Sequence, residues 1–318
     1  MSQYLFRRLL QVIIILLLVT ILIFGAMHFL PGGPLLLFFN QYGLTQLTQQ
    51  NLDHFIHQYG LDKPLVVQYV DWLKNLAHGE FGTSIVSHKK VSTLLAQSLP
   101  ITLHLGILAA IISTFLGVLS GTVAAVRRGT WLDTIVTFFS NIGQTVPIFW
   151  LGILGIFVFG LSLHWLPLSG YTSPFTNFGL SVRQIIMPVA CLCVIPLSNI
   201  SRQTRSSVLE VVRQDYVRTA FSKGLRERVV ILKHVLKNSL IPVITLIGIQ
   251  VPMIFGGEVL IETVFNIPGL GRLTVNAILG QDLSIVMACC LIISAMAVFS
   301  NLAVDISYAF IDPRIRYE

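Results

Sequence analysis

The chain has 318 residues, of which 54% are hydrophobic and only 11% charged. A water-soluble domain carries roughly a quarter charged residues, so the composition excludes an ordinary soluble fold and implies lipid as the solvent. The formal net charge of +7 is explained by where the charges sit, between apolar runs, and no nucleic-acid partner is expected.

In chain order, Arg7 and Arg8 precede an apolar run from Leu9 to about Leu30. That run is longer than the ~7–15 residues of a cleavable signal core, and no A-x-A site follows. It reads as an uncleaved first membrane helix. A spanning helix needs about 20 apolar residues, and six stretches qualify: Leu9–Phe29, Leu103–Val126, Ile135–Phe159, Ile185–Ile200, Ile241–Val264 and Ile285–Phe310. The fourth is short and contains Pro188 and Pro196, so a kink or extended ends are expected there. On the second, Gly117, Gly121 and Ala125 recur every four residues, which allows a neighbouring helix to approach closely. The fold class expected is all-α, a six-span membrane protein forming one domain over residues 1–318.

Basic residues set the orientation of such a chain. With the N-terminus inside, 15 of the 21 Lys and Arg fall on inner segments and six on outer ones, namely Lys63, Lys74, Lys89, Lys90, Arg183 and Arg272. Both termini are then cytoplasmic. Two long loops remain, an outer one over 31–100 with amphipathic pieces such as "LVVQYVDWLKNL", and an inner one over 201–240. Long ordered loops usually carry function. The four cysteines Cys191, Cys193, Cys289 and Cys290 lie in apolar runs without metal spacing and read as small core residues.

The inner loop gathers Arg213, Arg218, Lys223, Arg226, Arg228, Lys233 and Lys237 around the string "QDYVRTAFSKGL". Asp215 can cap a helix start, Gly224 can end one in the left-handed conformation, and Lys223 complements the dipole of the last turn. A two-turn helix over Tyr216–Lys223 follows, with Tyr216, Thr219, Ala220 and Lys223 on one face. Such a short helix is marginal alone. The residues themselves leave two docking surfaces open, a partner protein or anionic lipid headgroups.

This stretch resembles the cytoplasmic "EAA" loop of ABC-importer permeases, in which an Ala is followed four residues later by Gly, as Ala220 is by Gly224. "DYVRTA…KGL" is similar to the dipeptide, oligopeptide and nickel branch of that family. The resemblance covers essentially the whole chain, through "PGGP", "YGLDKPLVVQYVDWL", "GEFGTS", "TVPIFWLGIL", "WLPLSGY", "GGEVLIETVFNIPGLGRLTVNAI" and "NLAVDISYAFIDPRIR" in that order. It implies a B-type permease with a type I importer fold in the bacterial inner membrane. The partners implied are a second, C-type permease, two ATPases and an extracytoplasmic substrate-binding protein. It also implies that Asp215, Tyr216, Arg218, Thr219, Ala220, Lys223 and Gly224 form a coupling helix that docks on an ATPase. No G-x-x-x-x-G-K-[ST] occurs in the chain, so ATP and magnesium would be bound by the partners, with no catalytic group, cofactor or metal expected here. Di- or oligopeptides are the substrates implied, with a nickel or metal chelate as the alternative within the family.

Glu258, Glu262 and Asp305 sit in or at the ends of apolar spans, and an intramembrane acid is a functional candidate. Glu258, following Gly256–Gly257, and Glu262 are candidates to line a path. A proton-driven secondary transporter would use such acids as relays and is the alternative of a different class. His54 and His57, three apart, lack a third metal ligand and read as the polar face of an outer helix. "NIPGLGRL" reads as a tight turn between short outer elements.

Overall fold

The computed structural model describes residues 2–29, 62–84 and 86–311. The "PGGP" string and the His54/His57 pair lie outside the described residues. Ten helices carry the rest: α1 (Ser2–Phe29), α2 (Leu65–Ala77), α3 (Val91–Val126), α4 (Trp131–Thr145), α5 (Ile148–Ser162), α6 (Phe178–Val211), α7 (Asp215–Ser222), α8 (Glu227–Val264), α9 (Leu270–Leu279) and α10 (Leu283–Ile311). Five of them are long and apolar enough to cross a membrane, and α4 with α5 makes a sixth if that bent pair is one span.

The long helices outrun the apolar stretches that announced them. α3 begins at Val91, not Leu103, and carries Pro100 inside it. Its 36 residues extend ~54 Å, well beyond the ~30 Å hydrocarbon core. α6 starts on a capped turn, with Asn177 Oδ1 accepting from Leu180 N at 3.0 Å. It runs through Pro188 and Pro196 to Val211, far past the expected end at Ile200. α8 starts at Glu227 instead of Ile241 and winds as a π-helix over Val230–Leu236. The inner loop expected over 201–240 therefore shrinks to the stretch around α7. Residues 201–211 stay helical because their inward positions are small and polar: Ser201, Thr204 and Ser207 are buried, and Ser120 Oγ donates to Ser201 Oγ at 3.0 Å.

The third expected span is broken. α4 and α5 meet at 106°, across an extended Val146 (φ −77°, ψ 127°). Pro147 is the cause, since proline lacks an N–H and disfavours the helical conformation of the residue before it.

α3, α6 and α8 form the centre. Leu105 and Ala109 of α3, Met187, Leu192 and Cys193 of α6, and Ile254 and Ile261 of α8 build one apolar core. The close α3–α6 approach depends on the glycines: a side chain on Gly117 would overlap Ile200, and one on Gly121 would overlap the Ser201 carbonyl and Thr204. A second core joins Val91 and Leu95 of α3 to α9 and α10. A third gathers Ala125, Val208, Val217, Ala220, Val230 and Val235 at the opposite end, under α7. α1 packs against α10 and leaves much of its apolar surface exposed.

Candidate functional site

α7 is an eight-residue helix set between the ends of α6 and α8. The residue before the first helical turn is Gln214, whose side chain makes no capping bond. Asp215 is thus the first helical residue and not the cap. It still places a negative charge at the positive end of the helix dipole, and its carboxylate lies 3.9 Å from Arg218. Lys223 closes the helix, and Gly224 follows at φ +75°, the left-handed conformation a helix-terminating glycine supplies.

The expected common face of Tyr216, Thr219, Ala220 and Lys223 is divided. Val217 is 0% exposed and Ala220 6%, and both pack on Val208, Val230 and Val235 of this chain. The small Ala220 lets α7 approach its own platform. Tyr216 stands at the flank, its hydroxyl accepting from Asn238 Nδ2 at 2.9 Å. Asp215, Arg218, Thr219, Ser222, Lys223 and Gly224 are exposed, with the half-open apolar side chains of Phe221 and Leu225 beside them. The outward surface is therefore charged and polar with an apolar edge, and five cations flank it: Arg213, Arg218, Lys223, Arg226 and Arg228.

The α6 platform is fixed by an ion pair that sequence reasoning missed. Arg205 Nε donates to Asp133 Oδ1 at 2.6 Å and Nη2 to Oδ2 at 2.9 Å. Asp133 also accepts from Gly129 N at 3.0 Å. The pair ties the start of α4 to α6 in a two-point arrangement that holds geometry as well as charge. The signal available was the lone acid of the "GTWLDT" stretch, since a buried acid needs a partner.

The two carboxylates of α8 have different fates. Glu262 is 0% exposed and accepts from Thr102 Oγ1 and from Arg272 N, and Gly271 N–H also points at it. Thr102 Oγ1 accepts in turn from Leu270 N at 2.8 Å. Gly269 lies directly on the Glu262 carboxylate, where a Cβ would collide with it, and a Cβ on Gly271 would collide with Val259 beside the same carboxylate. The "NIPGLGRL" turn thus enters α9, and the free N–H groups of the helix start close on Glu262. Glu262 therefore holds α9 in place. Glu258, one turn earlier, is 1% exposed and neither oxygen meets a hydrogen-bond donor among the described residues. It faces Gly106 of α3, whose lack of a side chain makes room for it and for Phe255. The side chain of Asp305 lies outside the described residues.

Long glycine-packed helices around a central apolar core, with a short charged helix at one end and a carboxylate-held helix at the other, define a polytopic helical membrane protein. The fold agrees with a solved chain of the inward-facing MetNI methionine ABC transporter, at a TM-score of 0.55 and 16% identity over 69% of this chain and 96% of that one. The family model described as the binding-protein-dependent transport system inner membrane component matches residues 113–317, and its N-terminal companion matches residues 1–106. The oligopeptide transport system permease protein AppB of Bacillus subtilis (strain 168) is 39% identical over 320 residues, covering all of both chains. The dipeptide transport system permease protein DppB of Alkalihalophilus pseudofirmus is 36% identical over 337 residues, again covering both chains fully. The chain belongs to the binding-protein-dependent transport system inner-membrane-component family and is a multi-pass permease subunit of an ABC importer.

Proposed function

We propose that this permease conducts di- or oligopeptides inward across the bacterial cytoplasmic membrane. It pairs with a second permease subunit and is driven by two ATPases, which bind the ATP and magnesium. An extracytoplasmic binding protein delivers the substrate. The peptide reading is supported by the oligopeptide and dipeptide transport functions of the full-length relatives at 36–39% identity. Both termini and α7 face the cytoplasm in this reading, as the distribution of Lys and Arg favours.

One observation carries the mechanism: α7 buries Val217 and Ala220 in its own chain and turns Asp215, Arg218, Thr219 and Ser222 outward. A helix mounted this way moves with α6 and α8. The outward surface fits an ATPase groove with acidic walls and an apolar pocket for Phe221 and Leu225, a helix-in-groove contact. Closure of the ATPases around ATP would displace α7. The displacement passes to α6 and α8 through the Val208–Val217–Val230 contacts and tilts the membrane helices as rigid bodies.

Gly224→Pro tests this in the assembled transporter. Proline fixes φ near −65°, against the +75° observed, and removes the N–H that bonds Phe221 O at 2.9 Å. The variant should insert and assemble but hydrolyse ATP without accumulating labelled dipeptide. Normal uptake would refute docking through α7.

A further inference from the structure

α2 contributes no buried residue to the described structure, yet it is well attached. Among the described residues, its contacts to α1 come from Gln68, Tyr69 and Trp72, little more than one turn. The Tyr69 hydroxyl bonds Thr20 Oγ1 at 2.8 Å, and Gln68 Oε1 lies 3.2 Å from His28 Nε2. Tyr69 and Trp72 both pack on Phe24, at ring-centroid separations of 5.4 and 5.9 Å. On α1 the same contacts run over two turns, Thr20 to His28. One turn meeting two means that α2 crosses α1 instead of running beside it, so it lies across the direction in which α1 traverses the membrane.

α1 also supplies a depth scale. Its apolar run continues to about Leu30, and Thr20 lies ten residues before that end, ~15 Å down at 1.5 Å per residue. The Tyr69 hydroxyl is therefore inside the apolar slab. His28 lies only two residues, ~3 Å, from the same end, so the partners of α2 on α1 run from within the slab to its edge. The half-exposed Tyr69 and Trp72 side chains are of the type that occupies this boundary.

The remaining faces agree with that placement. Val66, Val70 and Leu73 recur at helical spacing on one side, and Val66 is 74% exposed. Asp71 and Asn75 occupy the other side, with Lys63 bonded to Asp71 at 2.8 Å. A row of open valines is unusual against water. It is continuous with the exposed apolar surface of α1, which includes Ile21 and Leu22.

We infer that α2 is an interfacial helix, lying flat at the membrane boundary opposite the Arg7–Arg8 end of α1, with Val66 and Val70 inserted among lipid acyl chains. Helices of this kind bury their apolar face ~5–10 Å into the headgroup and acyl boundary. The helix would then hold the outer end of α1 at a fixed height.

The test uses the full-length chain in phosphatidylcholine vesicles, with the native cysteines replaced by alanine and one new cysteine at a time carrying an environment-sensitive fluorophore. The sites are Val66→Cys, Val70→Cys and Asn75→Cys, all exposed positions whose replacement leaves the α1 contacts intact. Labels at 66 and 70 should be strongly quenched by nitroxide-bearing lipid and spared by aqueous iodide, with the reverse at 75. Iodide quenching at 66 and 70 equal to that at 75 would overturn the inference. So would protection of 66 and 70 from both quenchers, which would mean that protein covers the stripe, either another part of this chain or a second copy.

Discussion

The two short helices α7 and α9 sit at opposite ends of the same scaffold and are held in opposite ways. α9 is fixed by a buried carboxylate: Glu262 collects the N–H groups of its first turn, Thr102 relays a further bond, and Gly269 and Gly271 let everything close up. α7 has no such lock. It rests on Val217 and Ala220 through apolar contact, with Tyr216–Asn238 as a side bond, and leaves its charges outward. Polar groups satisfied inside the chain hold an element still, and polar groups left outside are available to a partner.

Three substitutions sharpen that contrast. Glu262→Ala should have the largest effect on stability. It strands the Thr102 hydroxyl and the Arg272 N–H in a buried site, at a cost of about 3 kcal/mol, read as a lower unfolding temperature in detergent. A variant as stable as the parent would mean that α9 does not depend on the carboxylate. Asp133→Asn should cost less, about 1 kcal/mol, because the pair with Arg205 is partly open to solvent and an amide keeps some hydrogen bonding. It should loosen the α6 platform and lower transport more than it lowers stability. Uptake that falls only in proportion to folded protein would contradict a positioning role. Arg218→Glu should leave stability within about 0.5 kcal/mol, as exposed substitutions do, while abolishing ATP-driven uptake. An unfolded Arg218→Glu chain would place Arg218 among the groups that hold the fold and undo the contrast between the two helices.

The same distinction explains what the sequence could reveal. The apolar runs announced α1, α3, α8 and α10 because lipid requires long uninterrupted hydrophobicity, and Gly224 announced the end of α7 because only a few residues take positive φ readily. The helix ends were misjudged where hydrophobicity stops and helix does not. Ser201–Val211 and Glu227–Leu240 are polar yet helical, because their small or apolar positions pack against α3 and α7. The bend at Pro147 was hidden inside an apolar run that read as one span. Neither Asp133–Arg205 nor Thr102–Glu262 could be read from local pattern, since the partners lie 72 and 160 residues apart and only the fold brings them together. The inward turn of Ala220 was missed for a related reason: a small residue signals close approach without saying to what.

The most direct test of the account places a photoreactive amino acid at single positions of α7 in the transporter co-expressed with its ATPases. At Arg218 or Ser222, illumination should yield a covalent product containing this chain and an ATPase, and at Val217 it should yield none. No ATPase product from either outward position, or labelling of the same two positions by a membrane-impermeant reagent added to intact cells, would contradict a cytoplasmic docking helix.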